Sequence, residues 1–137
     1  MNKLKAVVFD WAGTMIDFGS FAPMGVFVKA FERFGVAVTI EQARGPMGLP
    51  KWQHIESMMQ LPAVAQGWQA ARGHAPTKDD IDAVYEVFVP MNEAVIADYA
   101  TLVPGAKACV DELRAAGLKI GSTTGYTRSI MQRVLPL

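Results

Sequence analysis

A single carboxylate stands at the end of a short apolar run near the start of the chain. Asp10 follows the run 6–9 (AVVF), and the small-residue turn 12–14 (AGT) comes one residue later. Such a run predicts a strand over residues 4–10, buried on both faces of a parallel sheet, and open α/β sheets carry their chemistry at the carboxyl ends of these strands. A carboxylate there can attack phosphorus and bind a hard cation. The alternative is an ordinary turn aspartate.

A lysine with a different kind of reactivity follows a proline-bounded loop at 46–50 (PMGLP). Pro50 favours the first position of a helix, so Lys51 is predicted in the first helical turn. The helix dipole disfavours an ammonium there, and apolar neighbours such as Met47 and Trp52 disfavour the charge further. A neutral amine can attack an aldehyde and form a Schiff base. The alternative is a solvated surface lysine.

A second strand-like segment ends in hydroxyl and glycine residues. Residues 118–122 (LKIGS) predict a strand, and the polar stretch 123–126 (TTGY) follows it. Two short apolar runs that both end in small or hydroxyl residues are what the binding edge of a parallel sheet requires.

Four motifs, in their order along the chain, resemble the phosphonoacetaldehyde hydrolase (phosphonatase) family of the haloacid dehalogenase (HAD) superfamily. They are DWAGT, FGSFAP, ARGPMGLPKWQHI and IGSTTGYTR. The resemblance extends from about Leu4 to Arg133. It implies hydrolysis of the carbon–phosphorus bond of phosphonoacetaldehyde to acetaldehyde and phosphate, through a Schiff base on Lys51 and an aspartyl phosphate on Asp10.

The resemblance also implies a magnesium site and a set of substrate-binding residues. Mg²⁺ would be bound by the Asp10 carboxylate, the Ala12 backbone carbonyl and a later acidic residue. Thr124 matches a hydroxyl that hydrogen-bonds a phosphoryl oxygen, with Thr123 as a rival one residue away. His54 matches a histidine assigned to proton relay, although a histidine so placed is more often a surface polar group. The residues that match substrate-binding positions are Ala12, Gly13, Met47, His54, Thr124, Gly125 and Tyr126.

Ala12 bears on the leaving group. Phosphatases of the superfamily commonly have a second aspartate at this position, which protonates an alkoxide leaving group. A carbon that leaves as an enamine is stabilised by the imine instead and needs no such acid. The alternative is that Ala12 marks an inactive relative.

The elements predicted between the two strands are all helical. Apolar residues recur at helical spacing from Met24 to Phe34, Thr39 begins a capping box, and a long helix is predicted to kink or break near Val89, before Pro90. The predicted fold class is therefore α/β: a partial HAD-like Rossmannoid core of parallel strands with an inserted α-helical cap domain. The expected boundaries are 1–19 and 101–137 for the core and 20–100 for the cap.

Composition limits the partners and the compartment. Thirteen basic and thirteen acidic residues cancel, and no basic run occurs, so neither nucleic acid nor a membrane surface is indicated. A single cysteine, Cys109, fits a reducing cytoplasm and is predicted to be a buried core thiol on a helix. We expect a cytoplasmic homodimer that binds a small-molecule substrate, phosphonoacetaldehyde.

HAD enzymes also use a later basic residue for phosphate and a later acidic loop for Mg²⁺, and the 137-residue sequence ends before either. The expectation is a truncated phosphonatase, or one completed by another polypeptide, that is inactive alone. Two alternatives are a capped HAD phosphatase or phosphomutase, which Ala12 and Lys51 disfavour, and a non-catalytic fragment.

Overall fold

The computed structural model describes residues 4–136 and contains one sheet of two parallel strands. β1 (Ala6–Phe9) pairs with β2 (Lys119–Ser122) in the register Ala6↔Lys119 to Phe9↔Ser122. Parallel neighbours need a crossover connection, and the helices that supply it lie between them in the sequence. Both predicted strands are thus present, each shorter than its predicted range because the end residues lie outside the ladder.

Helices account for most of the remaining structure. A short 3₁₀-helix, Ile96–Tyr99, follows the longest α-helix. The α-helices are α1 (Phe21–Glu32), α2 (Ile40–Arg44), α3 (Lys51–Met59), α4 (Pro62–Arg72), α5 (Lys78–Val95), α6 (Ala106–Ala115) and α7 (Arg128–Val134).

Local side chains fix several helix starts where the sequence predicts them. The Thr39 hydroxyl accepts the Gln42 amide, and the Gln42 side chain accepts the Thr39 amide, which completes a capping box for α2. Thr77 and Asp80 make the corresponding pair of contacts before α5. The Thr127 hydroxyl accepts the Ile130 amide and caps α7. These caps satisfy amides that have no intrahelical acceptor.

Two local expectations are corrected. The break expected near Val89 is absent, because α5 continues through Pro90 to Val95 as one element; the kink stays a prediction. Cys109 is exposed and not a buried core thiol, because α6 buries the side that carries Ala106 and Val110.

The chain divides into two compact units. The helical unit, Ala22–Val95, has a continuous apolar core drawn from α1 to α5 and the loops between them. Its fully buried large side chains include Met24, Phe27, Phe31, Ile55, Met58, Val64, Trp68, Val84 and Phe88.

The sheet unit consists of Met1–Phe21 and Ile96–Leu137. Within residues 4–136 no strand other than β2 pairs with β1, so one edge of β1 is open. Val8 is 64% exposed on this strand, and Leu4 just before it is 68% exposed. The α/β fold class with parallel strands is confirmed, although the strands are not buried on both faces among the described residues. No helix within this range is long and apolar enough to cross a membrane.

Candidate active site

Asp10 lies where β1 ends. It is exposed and directly follows Phe9, the last ladder residue. The Thr123 amide donates to the Phe9 carbonyl at 2.8 Å, which extends the pairing of the two strands by one residue. Because the strands are parallel, the residues after Phe9 and after Ser122 leave the same edge of the sheet. The structure therefore places Asp10 and the hydroxyl-rich segment 122–126 at one edge.

The turn after Asp10 is closed by its own backbone. The Trp11 carbonyl accepts the amides of Thr14 at 3.1 Å and Met15 at 2.8 Å, and the Gly13 amide donates to the Ile16 carbonyl at 2.7 Å. Gly13 has φ +82°, and a Cβ at this position would collide with Oγ of Ser20. A glycine is required here for both reasons, and the amides of Gly13 and Thr14 are already used within the turn.

Two threonines follow β2, and one of them is half-buried while the other is exposed. Thr124 is half-buried, and its Oγ1 accepts the Tyr126 amide at 3.2 Å, whereas Thr123 is exposed. Gly125 is exposed with open space around the position of a Cβ. The backbone at Gly125 is thus open to close approach by a ligand, as a phosphoryl-binding loop needs.

Tyr126 is half-buried at this edge. Its ring meets Trp11 edge-to-face, with ring centroids 6.2 Å apart. Burial, together with the negative charges of Asp17 and Asp10, raises the pKa of Tyr126 to about 12. The phenol is therefore protonated at neutral pH. Its hydroxyl is buried and has no hydrogen-bond partner among the described residues.

Sequence reasoning did not assign a role to the buried polar pair Asp17 and Ser20. Asp17 is only 4% exposed, and its carboxylate accepts the amide of Phe21, the first residue of α1, at 2.9 Å. Both residues adopt positive φ, +53° and +52°, which is uncommon outside glycine. The signal available in the sequence was an aspartate four residues before a helix, in a turn that also contains Gly19.

In the helical unit, Lys51 is the first residue of α3, as predicted. Pro50 precedes it as the N-cap, and no side chain caps this end. Lys51 is half-buried, and its Nζ lies 5.8 Å from the ring centroid of Phe27. Met47, in the loop before Pro50, is 47% exposed. The lysine therefore extends from the start of a helix over an aromatic face.

His54 is fully buried, contrary to the surface alternative. Its Nε2 donates to the Ala43 carbonyl at 2.6 Å, and its ring stacks on Phe27 with centroids 4.1 Å apart. Burial, followed by the positive charge of Lys51, lowers the pKa of His54 to about 4 against the opposing effect of the Ala43 hydrogen bond. The imidazole is neutral at pH 7, and its Nδ1 has no hydrogen-bond partner among the described residues. Nδ1 is consequently an acceptor beside the Lys51 helix turn.

The predicted site residues fall into two groups, one in each unit. Ala12 is half-buried next to Asp10. Residues 4–136 contain no cluster of three or more His, Cys, Asp or Glu side chains that could hold a metal ion. The sheet unit contains Asp10, Ala12, Gly13, Thr124, Gly125 and Tyr126, and the helical unit contains Met47, Lys51 and His54.

Comparison with known proteins finds two curated relatives with the same name and a solved structure with a similar one. A phosphonoacetaldehyde hydrolase of Paraburkholderia phytofirmans is 56% identical over 136 residues, which cover 99% of this chain and 51% of the relative. A protein of the same name from Paraburkholderia xenovorans is 55% identical, with the same two coverages. The crystal structure of a phosphonoacetaldehyde hydrolase-like protein from Oleispira antarctica superposes with a TM-score of 0.93 at 38% identity, covering 98% of this chain and 49% of that one.

The chain thus spans about half the length of the curated relatives it matches. Residues 4–137 match the haloacid dehalogenase-like hydrolase family. The match extends over both strand ends and all the helices between them, including the position of Asp10 after β1. The chain belongs to the haloacid dehalogenase-like hydrolase family.

Proposed function

We propose that this chain carries the phosphorus-directed nucleophile and the aldehyde-directed lysine of a phosphonoacetaldehyde hydrolase. The observation that carries the proposal is that one chain contains both Asp10, at the end of a parallel strand, and Lys51, at a helix start without a side-chain cap and one turn before a neutral histidine. Relatives with that name match nearly the whole chain at 55–56% identity. In this proposal, residues 20–100 act as a cap over a site formed by 1–19 and 101–137.

Lys51 prepares the leaving group. Its amine adds to the aldehyde carbon of phosphonoacetaldehyde, and loss of water gives an imine. Once protonated, the imine accepts the electron pair of the breaking carbon–phosphorus bond, so that the carbon departs as an enamine. Protonation of the enamine carbon and hydrolysis of the imine then release acetaldehyde and regenerate the amine.

Asp10 receives the phosphoryl group. A carboxylate oxygen of Asp10 attacks phosphorus as the carbon departs, and water later hydrolyses the aspartyl phosphate to release phosphate. Asp10 is exposed at the carboxyl end of β1, so its carboxylate is accessible for this displacement. Ala12 fits the same reaction, because an enamine leaving group requires no second carboxylic acid at that position.

Seven further residues have matching roles. The protonated hydroxyl of Tyr126 donates to a phosphonate oxygen, and the Thr124 hydroxyl and the open backbone at Gly125 bind the same group. Neutral His54, with Nδ1 as an acceptor, takes up and returns the proton that Lys51 exchanges during imine formation. Met47 and the small side chain of Ala12 line the substrate, and Gly13 keeps the turn beside it closed.

Mg²⁺ is the cofactor that this donor set fits. Asp10 offers a carboxylate oxygen and Ala12 a backbone carbonyl oxygen, and Mg²⁺ is commonly held by one or two carboxylates plus waters and substrate oxygens. When bound, the ion would neutralise phosphoryl charge. Because residues 4–136 hold no cluster of three metal-binding side chains, these two ligands alone should bind it weakly.

The proposal places the enzyme in the cytoplasm as a homodimer that acts on a small molecule, without a nucleic-acid or membrane partner. The balanced charge supports the absence of nucleic-acid and membrane partners, and the single cysteine supports the compartment.

A substrate comparison tests the function. The 137-residue chain should be assayed alone and joined to the remaining part of the Paraburkholderia phytofirmans relative, with phosphonoacetaldehyde and with small phosphate esters. We expect the joined protein to release phosphate from phosphonoacetaldehyde in preference to the esters, and Asp10→Asn to remove this turnover. Preferential ester hydrolysis would favour a capped phosphatase, and near-native turnover by Asp10→Asn would overturn the role of Asp10.

A further inference from the structure

The start of α3 lacks the support that most helix starts have. Pro50, its N-cap, provides no side-chain hydrogen bond, and the preceding loop residues Gly48 and Leu49 are exposed. Ser, Thr, Asp or Asn at this position would normally accept an amide of the first turn. Lys51 belongs to that turn, which buried His54 anchors through its bond to Ala43, and one further side-chain contact reaches the turn from α5.

That contact comes from Trp52, the second residue of α3. Its indole Nε1 donates to Oδ1 of Asp82 on α5 at 2.6 Å, a charge-assisted hydrogen bond between two half-buried side chains. Asp82 is itself well anchored, because its neighbours Ile81 and Val84 are buried in the core of the helical unit. The bond therefore joins the first turn of α3, which has no side-chain cap, to α5, whose position the core fixes.

We propose that Asp82 is a positioning residue for Lys51, acting through the indole of Trp52. Its carboxylate fixes Trp52, and Trp52 fixes the adjacent backbone from which Lys51 reaches over the Phe27 ring. The inference rests on the proposed function, in which Lys51 forms the imine. It adds a residue of α5 that touches neither substrate nor metal but sets how readily the amine meets an aldehyde.

Site-resolved reductive alkylation tests the inference on the chain itself, without requiring turnover. The chain is treated with acetaldehyde and cyanoborohydride, and labelling is measured by peptide mass spectrometry at Lys51 and at Lys29, an exposed lysine of α1. The ratio of the two rates reports the local reactivity of Lys51, because a change in reagent concentration affects both lysines equally; circular dichroism of each variant controls for unfolding.

Two variants remove the bond from opposite sides. Trp52→Phe keeps an aromatic ring but deletes the N–H, and Asp82→Ala deletes the acceptor. Since small errors in the placement of a reacting group cost large factors in rate, each should lower the Lys51:Lys29 ratio about tenfold. Asp82→Asn retains an oxygen acceptor and should restore most of the ratio. Asp79→Ala, at an exposed site one turn earlier on the same helix, should leave it unchanged.

The outcomes separate this inference from the proposed function. If wild-type Lys51 labels no faster than Lys29, the proposed role of Lys51 fails. If wild-type Lys51 is preferred and Trp52→Phe retains that preference, the positioning role alone is overturned. An Asp82→Asn variant no better than Asp82→Ala also overturns it. Should Asp82→Ala fail to fold, as judged by circular dichroism, the result with Trp52→Phe decides.

Discussion

The helical unit and the sheet unit differ most in how completely they bury their own apolar residues. In the helical unit, Phe27, Phe31 and Trp68 are fully enclosed in one core. In the sheet unit, β1 has a single neighbouring strand among the described residues, and Val8 is 64% exposed. Parallel strands normally have both faces covered, so the sheet depends on further contacts in a way that the helices do not.

The difference matches the two kinds of chemistry that we propose for the units. Lys51 and His54 need a fixed, partly desolvated environment, which the helical core supplies through Phe27. In the proposed reaction Asp10 needs access to water, substrate and cation, and Asp10 is exposed where β1 ends. Substitutions of buried residues in the helical unit and of exposed residues in the sheet unit therefore test these proposed roles.

The largest effect is expected from Phe27→Ala. Phe27 is fully buried and stacks on both His54 and Phe88, with centroid distances of 4.1 and 4.3 Å. Removing a ring from such a site should lower the free energy of unfolding by about 3–5 kcal/mol, as measured by urea denaturation. Phe9→Ala on half-buried β1 is the matched control and should cost clearly less. Equal losses would contradict the difference in burial between the units.

Acid should destabilise the helical unit through His54. The folded-state pKa of His54 is lowered to about 4 from the ordinary value of 6.5, so the unfolded chain binds a proton first as the pH falls. The contribution of His54 to the free energy of unfolding should be constant above about pH 6.5. It should fall by up to about 3 kcal/mol as the pH drops from 6.5 to 4.

Unfolding measured between about pH 4 and 7.5 tests this dependence, and His54→Gln should flatten the profile in that window. Proton NMR should show the His54 ring in its neutral form down to about pH 4. A midpoint for His54 near the ordinary value of 6.5 would contradict the burial described for it.

We also expect the chain to self-associate through the open edge of β1. An open strand edge with exposed apolar side chains is prone to pairing with other chains, and a lysine on such a strand opposes that pairing. Val8→Lys should therefore reduce self-association in sedimentation experiments while changing stability by less than about 0.5 kcal/mol, because the site is exposed. Phe18→Lys, at a 73% exposed loop position, is the control. If both variants act equally, association does not depend on the strand.

The smallest effect is expected from Tyr126→Phe. The ring contact with Trp11 is kept, and only a buried hydroxyl without a described partner is lost. Stability should stay the same or rise by up to about 1 kcal/mol, while binding of inorganic phosphate, measured by calorimetry, should weaken because a donor is gone. Unchanged phosphate affinity would remove Tyr126 from the proposed site.

Local features of the site could be predicted from sequence because they depend on neighbours along the chain. The strand before Asp10, the helix start at Lys51 and the capping box at Thr39 follow from short-range apolar patterns and from residues that satisfy nearby amides. The positive φ at Gly13 is likewise a property of a small-residue turn.

Tertiary features could not be predicted in this way. His54 is buried because Ala43 and Phe27, both distant in sequence, close over it. The Trp52–Asp82 bond joins residues thirty positions apart and leaves no periodic signal. Cys109 was assigned to the core because Val110 beside it is apolar, yet the two side chains point in different directions around α6.

The central claim is that Lys51 forms an imine with the aldehyde while Asp10 attacks phosphorus. Borohydride trapping tests this claim most directly. The chain is incubated with phosphonoacetaldehyde and borohydride, and the modified peptide is identified by mass spectrometry. We expect a two-carbon adduct on Lys51 in the wild type and in Asp10→Asn, which in Asp10→Asn still carries the phosphonate group because its carbon–phosphorus bond is not cleaved, and no adduct at this position in Lys51→Arg, because a guanidinium does not form the imine. An adduct confined to another lysine, or one that disappears in Asp10→Asn, would contradict the division of chemistry between the two units.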